Sequence, residues 1–357
     1  MKILLWGAYQ QGNFGDDLMA WVFARGIKEL GHSVKVFGLS PSEAEDFGLE
    51  TATSIDEALE EADAVVLGGG AVYEKWWSIK DIGRTALIPQ VRAFELMYLQ
   101  LGLALRRHQK PIHFLSVGSD GIEKTSQLSP FRRLVLASKQ VGLVTLRLKH
   151  DLQLDFARGA NYRHVPDVLF ATPRLITEVP KANTHPKASP DTIVLNLHKK
   201  HTDRIPALMS AIRSNWPNAN IFSMASHLPE AGLSYEWSPN ASDPIEPLPY
   251  TGARSALNIL ASADLVISSK LHVGIVGMAY GSGFLSLGGR SKVKLQLNEM
   301  DKLETCYVDP EQFSKLKLEE VLSSAASQSA TSIERMSRLS DNASSHFDML
   351  AGELNGI

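Results

Sequence analysis

The residues with the strongest chemical character stand together at Ser268-Ser269-Lys270-Leu271-His272, directly after the apolar run Leu265-Val266-Ile267. A helical stretch continues from them through Val273, Ile275, Val276 and Met278 to Gly281, a suitable residue to follow a helix end. The hydroxyl pair suits the helix N-cap, with a cation and an imidazole in the first turn. Amides at a helix start attract anions, and Lys270 adds a full positive charge where lysine is ordinarily unfavourable. An unfavourable choice at that place points to function. His272 could act as a general acid or base, its proton affinity lowered by the helix dipole and raised by a bound anion. A purely structural histidine is the competing reading.

Three further places carry potential chemistry. Gly12-Asn13-Phe14-Gly15-Asp16-Asp17 follows the first apolar run and opens a helix, so its glycines allow close backbone approach to a ligand. Asp16 or Asp17 could equally be a helix cap. Gly68-Gly69-Gly70 repeats the arrangement after another apolar run. Arg147 closes the run Val144-Thr145-Leu146, where its fork-shaped guanidinium would suit a carboxylate or phosphate, or else an ion pair. No metal is called for: the histidines are scattered, with no H-E-x-x-H and no carboxylate cluster. Neither G-x-S-x-G nor the dinucleotide fingerprint G-x-G-x-x-G occurs.

These residues need strands and helices to hold them. Apolar runs at 2–6, 34–37, 64–67, 112–117 and 143–146 alternate with helical spacing at 18–27, 55–62, 88–107 and 131–138. Runs of Val, Ile and Leu without strict alternation suit strands covered on both faces, as in a parallel sheet. The pattern restarts with strands at 192–197, 220–224, 265–267 and 284–287 and helices at 204–215, 253–261 and 270–280. Alternation of this kind predicts an α/β protein of two Rossmann-like domains. The Pro-rich segment 178–190 has linker composition. We therefore expect an N-terminal domain over 1–178, a second over 191–330, and a C-terminal helix over 331–357 packing back on the body. The polar segment 230–249 reads as a surface loop whose Tyr235 and Trp237 either line an acceptor site or pack within the loop.

Composition narrows the class. Among 357 residues, 44% are hydrophobic and 21% charged, which indicates a globular chain too long for one core. A formal net charge of −3 argues against a nucleic-acid partner. Cys306, the only cysteine, leaves no intrachain disulfide and is read as a buried strand residue. No run of 18 apolar residues occurs and the first apolar stretch is too short for a signal peptide, so the expectation is a cytoplasmic protein.

Taken together, the quoted residues resemble the polysaccharide pyruvyl transferases, which attach pyruvate from phosphoenolpyruvate to a sugar as a ketal. The resemblance rests on Gly12-Asn13-Phe14-Gly15-Asp16-Asp17, Val66-Leu67-Gly68-Gly69-Gly70, Leu146-Arg147, His164-Val165-Pro166-Asp167, and most specifically Ala263 to His272. It implies a fold similar to GT-B glycosyltransferases with an interdomain cleft, no metal and no cofactor beyond phosphoenolpyruvate as donor. It implies His272 as the catalytic acid or base. Donor-binding residues would be Lys270, Arg147, Ser268, Ser269, Leu271 and Arg290; Gly12, Asn13, Gly15, Asp16, Asp17, Gly69 and Gly70 would face the acceptor. The family's Arg-Leu-His triplet reads Lys270-Leu271-His272 here, and an ammonium cannot grip a carboxylate with two prongs. Arg147 or Arg290 would have to compensate. The expected partner is a glycan or lipid-linked saccharide, which allows a peripheral contact at the inner face of the membrane. Two other readings stay open: a nucleotide-sugar glycosyltransferase on the same fold, and a non-catalytic glycan- or nucleotide-binding relative.

Overall fold

A computed structural model describes residues 1–9, 12–74, 89–120, 122–157, 161–180, 189–228, 235–241, 243–313, 317–331 and 333–356. The chain divides into two compact units. Unit 1 comprises Met1–Gln11, Met19–Val168 and Asn342–Ile357; unit 2 comprises Gly12–Leu18 and Leu169–Asp341.

Unit 1 is built on β1 (Lys2–Trp6), β2 (Ser33–Phe37), β3 (Glu50–Ala52), β4 (Ala64–Gly68), β5 (Tyr73–Glu74), β6 (Ile112–Val117), β7 (Ser119–Asp120), β8 (Val141–Leu146) and β9 (Tyr162–His164). Seven of these form a parallel sheet in the order β3-β2-β1-β4-β6-β8-β9, while β5 pairs with β7 alone. Every residue of β4 and β6 is buried, as expected for apolar strands with helices on both faces. The long helix Pro89–His108 covers one face through Met97, Tyr98, Leu101, Ala104 and Leu105. Its expected first residue, Ile88, lies outside the described residues.

Unit 2 repeats the plan with β10 (Thr192–Asn196), β11 (Asn220–Met224), β12 (Glu246–Leu248), β13 (Leu265–Ser268), β14 (Gly283–Leu287) and β15 (Tyr307–Val308). Its parallel sheet runs β12-β11-β10-β13-β14-β15. Both sheets therefore wind outward in opposite directions from a central pair, β1 with β4 and β10 with β13, the doubly wound order of a Rossmann-like domain. The core of unit 2 gathers Ile193, Leu195, Ile212, Leu265, Ile267 and Leu285 with Leu322, Ala325 and Ala326 of the helix Leu318–Thr331.

The two-domain expectation meets three differences of detail. The division falls between Val168 and Leu169, ahead of the Pro-rich segment, of which 181–188 lies outside the described residues. Gly12–Leu18 belongs with unit 2 although the strand before it and the helix residues after it belong with unit 1. The last helix, Ile333–Leu354, carries Asn342 onward into unit 1, where Phe347 fills the space left by Gly26: a Cβ there would lie 2.2 Å from its ring. The segment expected as loop contributes β12, an edge strand, where Pro247 is tolerated for lack of an outer partner. Cys306 is buried, but in the short helix Leu303–Cys306 before β15.

Candidate functional site

In a doubly wound sheet, ligands bind beyond the carboxyl ends of the strands where winding reverses. In unit 2 those ends are Asn196 on β10 and Ser268 on β13, adjacent in register. Ser268 Oγ donates to Asn196 Oδ1 at 3.0 Å and accepts from the Lys270 amide at 2.9 Å. Ser269 Oγ accepts from the His198 amide at 3.0 Å. The hydroxyl pair thus ties the strand ends together instead of capping the helix. Lys270 holds the N-cap, in extended conformation, and its side chain makes no capping bond. The helix it opens, Leu271–Ala279, buries Leu271, Val273, Ile275 and Val276 and leaves only His272 of its first turn partly accessible. Gly281, at φ 97°, follows the helix end as the sequence suggested.

The segment Gly12–Leu18 lies across this end of unit 2 as a strap. The Phe14 amide donates to the Ser226 carbonyl and the Leu228 amide to the Gly12 carbonyl, both at 2.9 Å, with Asn13 bridged to His227. Asn13 Oδ1 accepts from the Gly15 amide, and Asn13 Nδ2 donates to Asp16 at 2.6 Å. Asn13 therefore takes the helix-start role that the sequence also allowed for Asp16 or Asp17. Asp17 is buried and accepts from the Tyr250 hydroxyl at 2.8 Å, which fastens the strap to unit 2. Gly15 matters for another reason: a Cβ there would lie 1.8 Å from His272 Nδ1. The imidazole rests against a backbone that has no side chain to push it away. The strap was expected on the N-terminal domain as an acceptor loop; the structure places it beside His272.

Beside the strap lies a charged cluster. Glu236 is buried and accepts from Asn196 Nδ2 at 2.9 Å, the Ser226 amide at 2.8 Å and Ser226 Oγ at 2.5 Å. His227 Nδ1 is 3.7 Å and Lys270 Nζ 4.0 Å from its Oε1. Burial alone would raise the Glu236 pKa, but the bond from His227, the Lys270 charge and the bonds from Ser226 and Asn196 outweigh it and bring it down to about 2. Burial pulls the Lys270 pKa down; Glu236 opposes the shift and Arg290 reinforces it. Arg290, exposed at the start of the helix Ser291–Glu299, is thus close enough for Lys270 to feel its charge. Burial likewise holds His198 below its usual range, helped by Lys200 and Lys270.

The remaining expected site residues lie in unit 1. Arg147 is fully buried, its Nη1 3.2 Å from the equally buried Asp167 Oδ2, and its side chain packs where a Cβ on Gly118 would stand. The guanidinium is thus enclosed and paired with a carboxylate. Gly69 and Gly70 are buried, with φ of 78° and 87° that side chains rarely adopt. The Gly69 amide donates to the Leu115 carbonyl and the Gly70 carbonyl accepts from Gly118, so both shape a turn between strand ends. Among the described residues there is no group of three or more His, Cys, Asp or Glu placed to hold a metal. Among them, too, no helix is long and apolar enough to cross a membrane.

The sequence profile of the family described as polysaccharide pyruvyl transferase matches residues 13–289, from the strap to the glycine pair after β14. The chain belongs to this family. It is thereby a member of a transferase family, and its fold is that of GT-B glycosyltransferases and related epimerases. A putative UDP-N-acetylglucosamine 2-epimerase from Listeria monocytogenes superposes with a TM-score of 0.55 at 13% identity, covering 91% of this chain and 90% of its own. The UDP-GlcNAc 2-epimerase from Neisseria meningitidis, bound to UDP-GlcNAc, gives 0.54 at 11% identity with full coverage of both chains, 100% each. The calicheamicin glycosyltransferase gives 0.51 at 13%, covering 99% and 97%. At such identities the likeness is one of fold. No curated protein matches the chain by sequence.

The sequence marked Lys270-Leu271-His272 but gave no direct notice of Asn196, Ser226, His227, Glu236 and Tyr250. For three of them a signal existed: Asn196 ends β10, and Ser226-His227 follows β11, both at the sheet edge that carries Ser268. Glu236 and Tyr250 come from segments without apolar periodicity and had no such marker.

Proposed function

We propose that the protein transfers the enolpyruvyl-derived group of phosphoenolpyruvate to a sugar of a polysaccharide or its lipid-linked precursor and closes it as a pyruvate ketal. The observation that carries this reading is His272, held against Gly15 in the first turn of a helix whose start also carries Lys270, with Arg290 nearby. Two cations and a helix N-terminus suit the donor's phosphate and carboxylate. His272 would deliver a proton to the donor's methylene carbon, and a sugar hydroxyl would attack the cationic C2. A second hydroxyl would displace phosphate and close the ring. No metal enters this scheme, and the reaction would take place in the cytoplasm, at the inner membrane face where the acceptor is lipid-linked.

Lys270 stands where the family carries arginine, and its single ammonium is already drawn toward Glu236. Arg147 or Arg290 would supply the second charge on the donor, and Arg290 is the one whose charge Lys270 feels. The test is phosphate release from phosphoenolpyruvate, which should require a glycan acceptor and fall to background in His272→Ala. Full turnover in that variant would remove His272 from the mechanism. The fold shared with a UDP-GlcNAc 2-epimerase and a glycosyltransferase keeps a nucleotide-sugar glycosyltransferase as the second reading. Tight UDP binding with no response to phosphoenolpyruvate would favour it.

A further inference from the structure

Pyruvyl transfer of this kind moves two protons in opposite senses. One goes to the donor's methylene carbon, and the other must leave the attacking sugar hydroxyl. The two transfers take place on different atoms, a carbon of the donor and an oxygen of the acceptor, so a second group beside His272 has work to do. The cluster around Glu236 contains one that the mechanism above leaves unused.

That group is His227, about one third exposed, with Nδ1 turned inward to Ser226 Oγ at 3.2 Å and Glu236 Oε1 at 3.7 Å. The balance of these contacts sets its tautomer. Ser226 Oγ gives its only proton to Glu236 Oε1 at 2.5 Å, so toward His227 it can only accept. Glu236 is a carboxylate and also only accepts. Both inward neighbours therefore require the proton on Nδ1, which leaves the lone pair on Nε2. Lys270 Nζ, at 3.5 Å from Nδ1, can only donate and so pulls toward the other tautomer, but Ser226 Oγ at 3.2 Å is the shorter contact. The carboxylate behind the ring is held in place by Asn196 Nδ2 and the Ser226 amide. Position follows from the strap: His227 is bridged to Asn13, and His272 rests on Gly15 two residues further on.

We propose that His227 is the base that receives the acceptor hydroxyl's proton at Nε2, with Ser226 and Glu236 as positioning residues that hold its tautomer; this rests on the pyruvyl-transfer reading. In the first step the hydroxyl oxygen forms a bond to C2 and its proton passes to His227 Nε2. The electron pair of the C2–C3 double bond takes a proton from His272, giving a tetrahedral phospho-ketal. In the second step the other hydroxyl bonds to C2 while the C2–phosphate bond breaks and its electron pair leaves with phosphate. The second hydroxyl proton balances the released phosphate. The positive charge gained by His227 is met by Glu236, which stays ionised because its pKa lies at about 2.

Two measurements decide it. Nitrogen-15 NMR of the histidine rings should show neutral His227 protonated at Nδ1 in the parent protein, and a mixture of tautomers in Glu236→Ala. Phosphate release with acceptor should fall about 100- to 10,000-fold in kcat in His227→Ala, with KM for phosphoenolpyruvate little changed and added imidazole restoring part of the rate. Glu236→Gln, which keeps the side-chain volume but loses the charge and one accepting oxygen, should lower kcat about tenfold or more with KM for phosphoenolpyruvate little changed. Protonation of the neutral ring at Nε2, an undiminished kcat in His227→Ala, or a loss that imidazole does not relieve would each overturn the proposal. A parent protein that releases no phosphate with any acceptor would sink the pyruvyl-transfer reading, and the base role with it; the NMR spectrum would still decide whether Glu236 and Ser226 set the tautomer.

Discussion

At the scale of single residues, the molecule turns on what can approach what. A glycine in the first turn of a helix is usually the poorer choice, and Ala in its place ordinarily gains up to about 1 kcal/mol. At Gly15 that sign should reverse, because the new Cβ would lie 1.8 Å from His272 Nδ1 and force the ring or the strap to move. Overpacking of this kind costs about 1–3 kcal/mol, which outweighs the helix gain. Gly15→Ala should therefore lower the melting temperature and depress acceptor-dependent phosphate release to nearly the level of His272→Ala. A variant as active and as stable as the parent would show that the ring does not need this backbone. The sequence made His272 and Lys270 legible because their chemistry is unusual at a helix start. It could not reveal Gly15's partner, since that contact joins residues 257 positions apart in the chain and no periodicity records it.

At the scale of elements, apolar runs covered on both faces were readable, and the strands at the centre of each sheet lie where they were expected. The edge strands β3, β12 and β15 and the helix Ser291–Glu299 were not, because each is short or half-exposed and so carries little pattern. The last helix was readable as a helix but not in its destination. Its final turns bury Phe347 against Gly26 and Phe23 in unit 1. His346 Nε2 donates to the Pro166 carbonyl at 2.9 Å, and its Nδ1 lies 2.8 Å from the Thr145 hydroxyl. Phe347→Ala should cost about 3–5 kcal/mol, read as a lower urea midpoint, because the glycine opposite cannot refill the space. A loss under 1 kcal/mol would mean that the end of the helix is not held by this contact.

At the scale of the whole molecule, buried neutral histidines in both units link stability to pH. Burial lowers His113 and His201 to about 4, and His346 to about 3, against 6.5 in the unfolded chain. A depressed pKa contributes stability that is complete above pH 6.5 and is lost as pH falls toward the folded values, since only the unfolded chain takes up the protons. Each such proton weakens the fold by about 1.4 kcal/mol per pH unit. Urea midpoints should therefore decline from pH 7 to pH 5, before the carboxylates of the unfolded chain begin to titrate. A flat profile over that interval would mean that these rings are not held neutral. Glu236 adds to the decline below about pH 4.5, the ordinary value from which its site depresses it.

The strap also orders events in time. Residues 12–18 leave the ribosome well ahead of the surface they lie on: Tyr250, which binds Asp17, follows 233 residues later and His272 later still. Contacts between such distant parts of a chain form slowly, because a long loop must close before any of them is made. Gly12–Leu18 has to wait for the surface it lies on, so no nascent fragment short of His272 can carry the assembled candidate site.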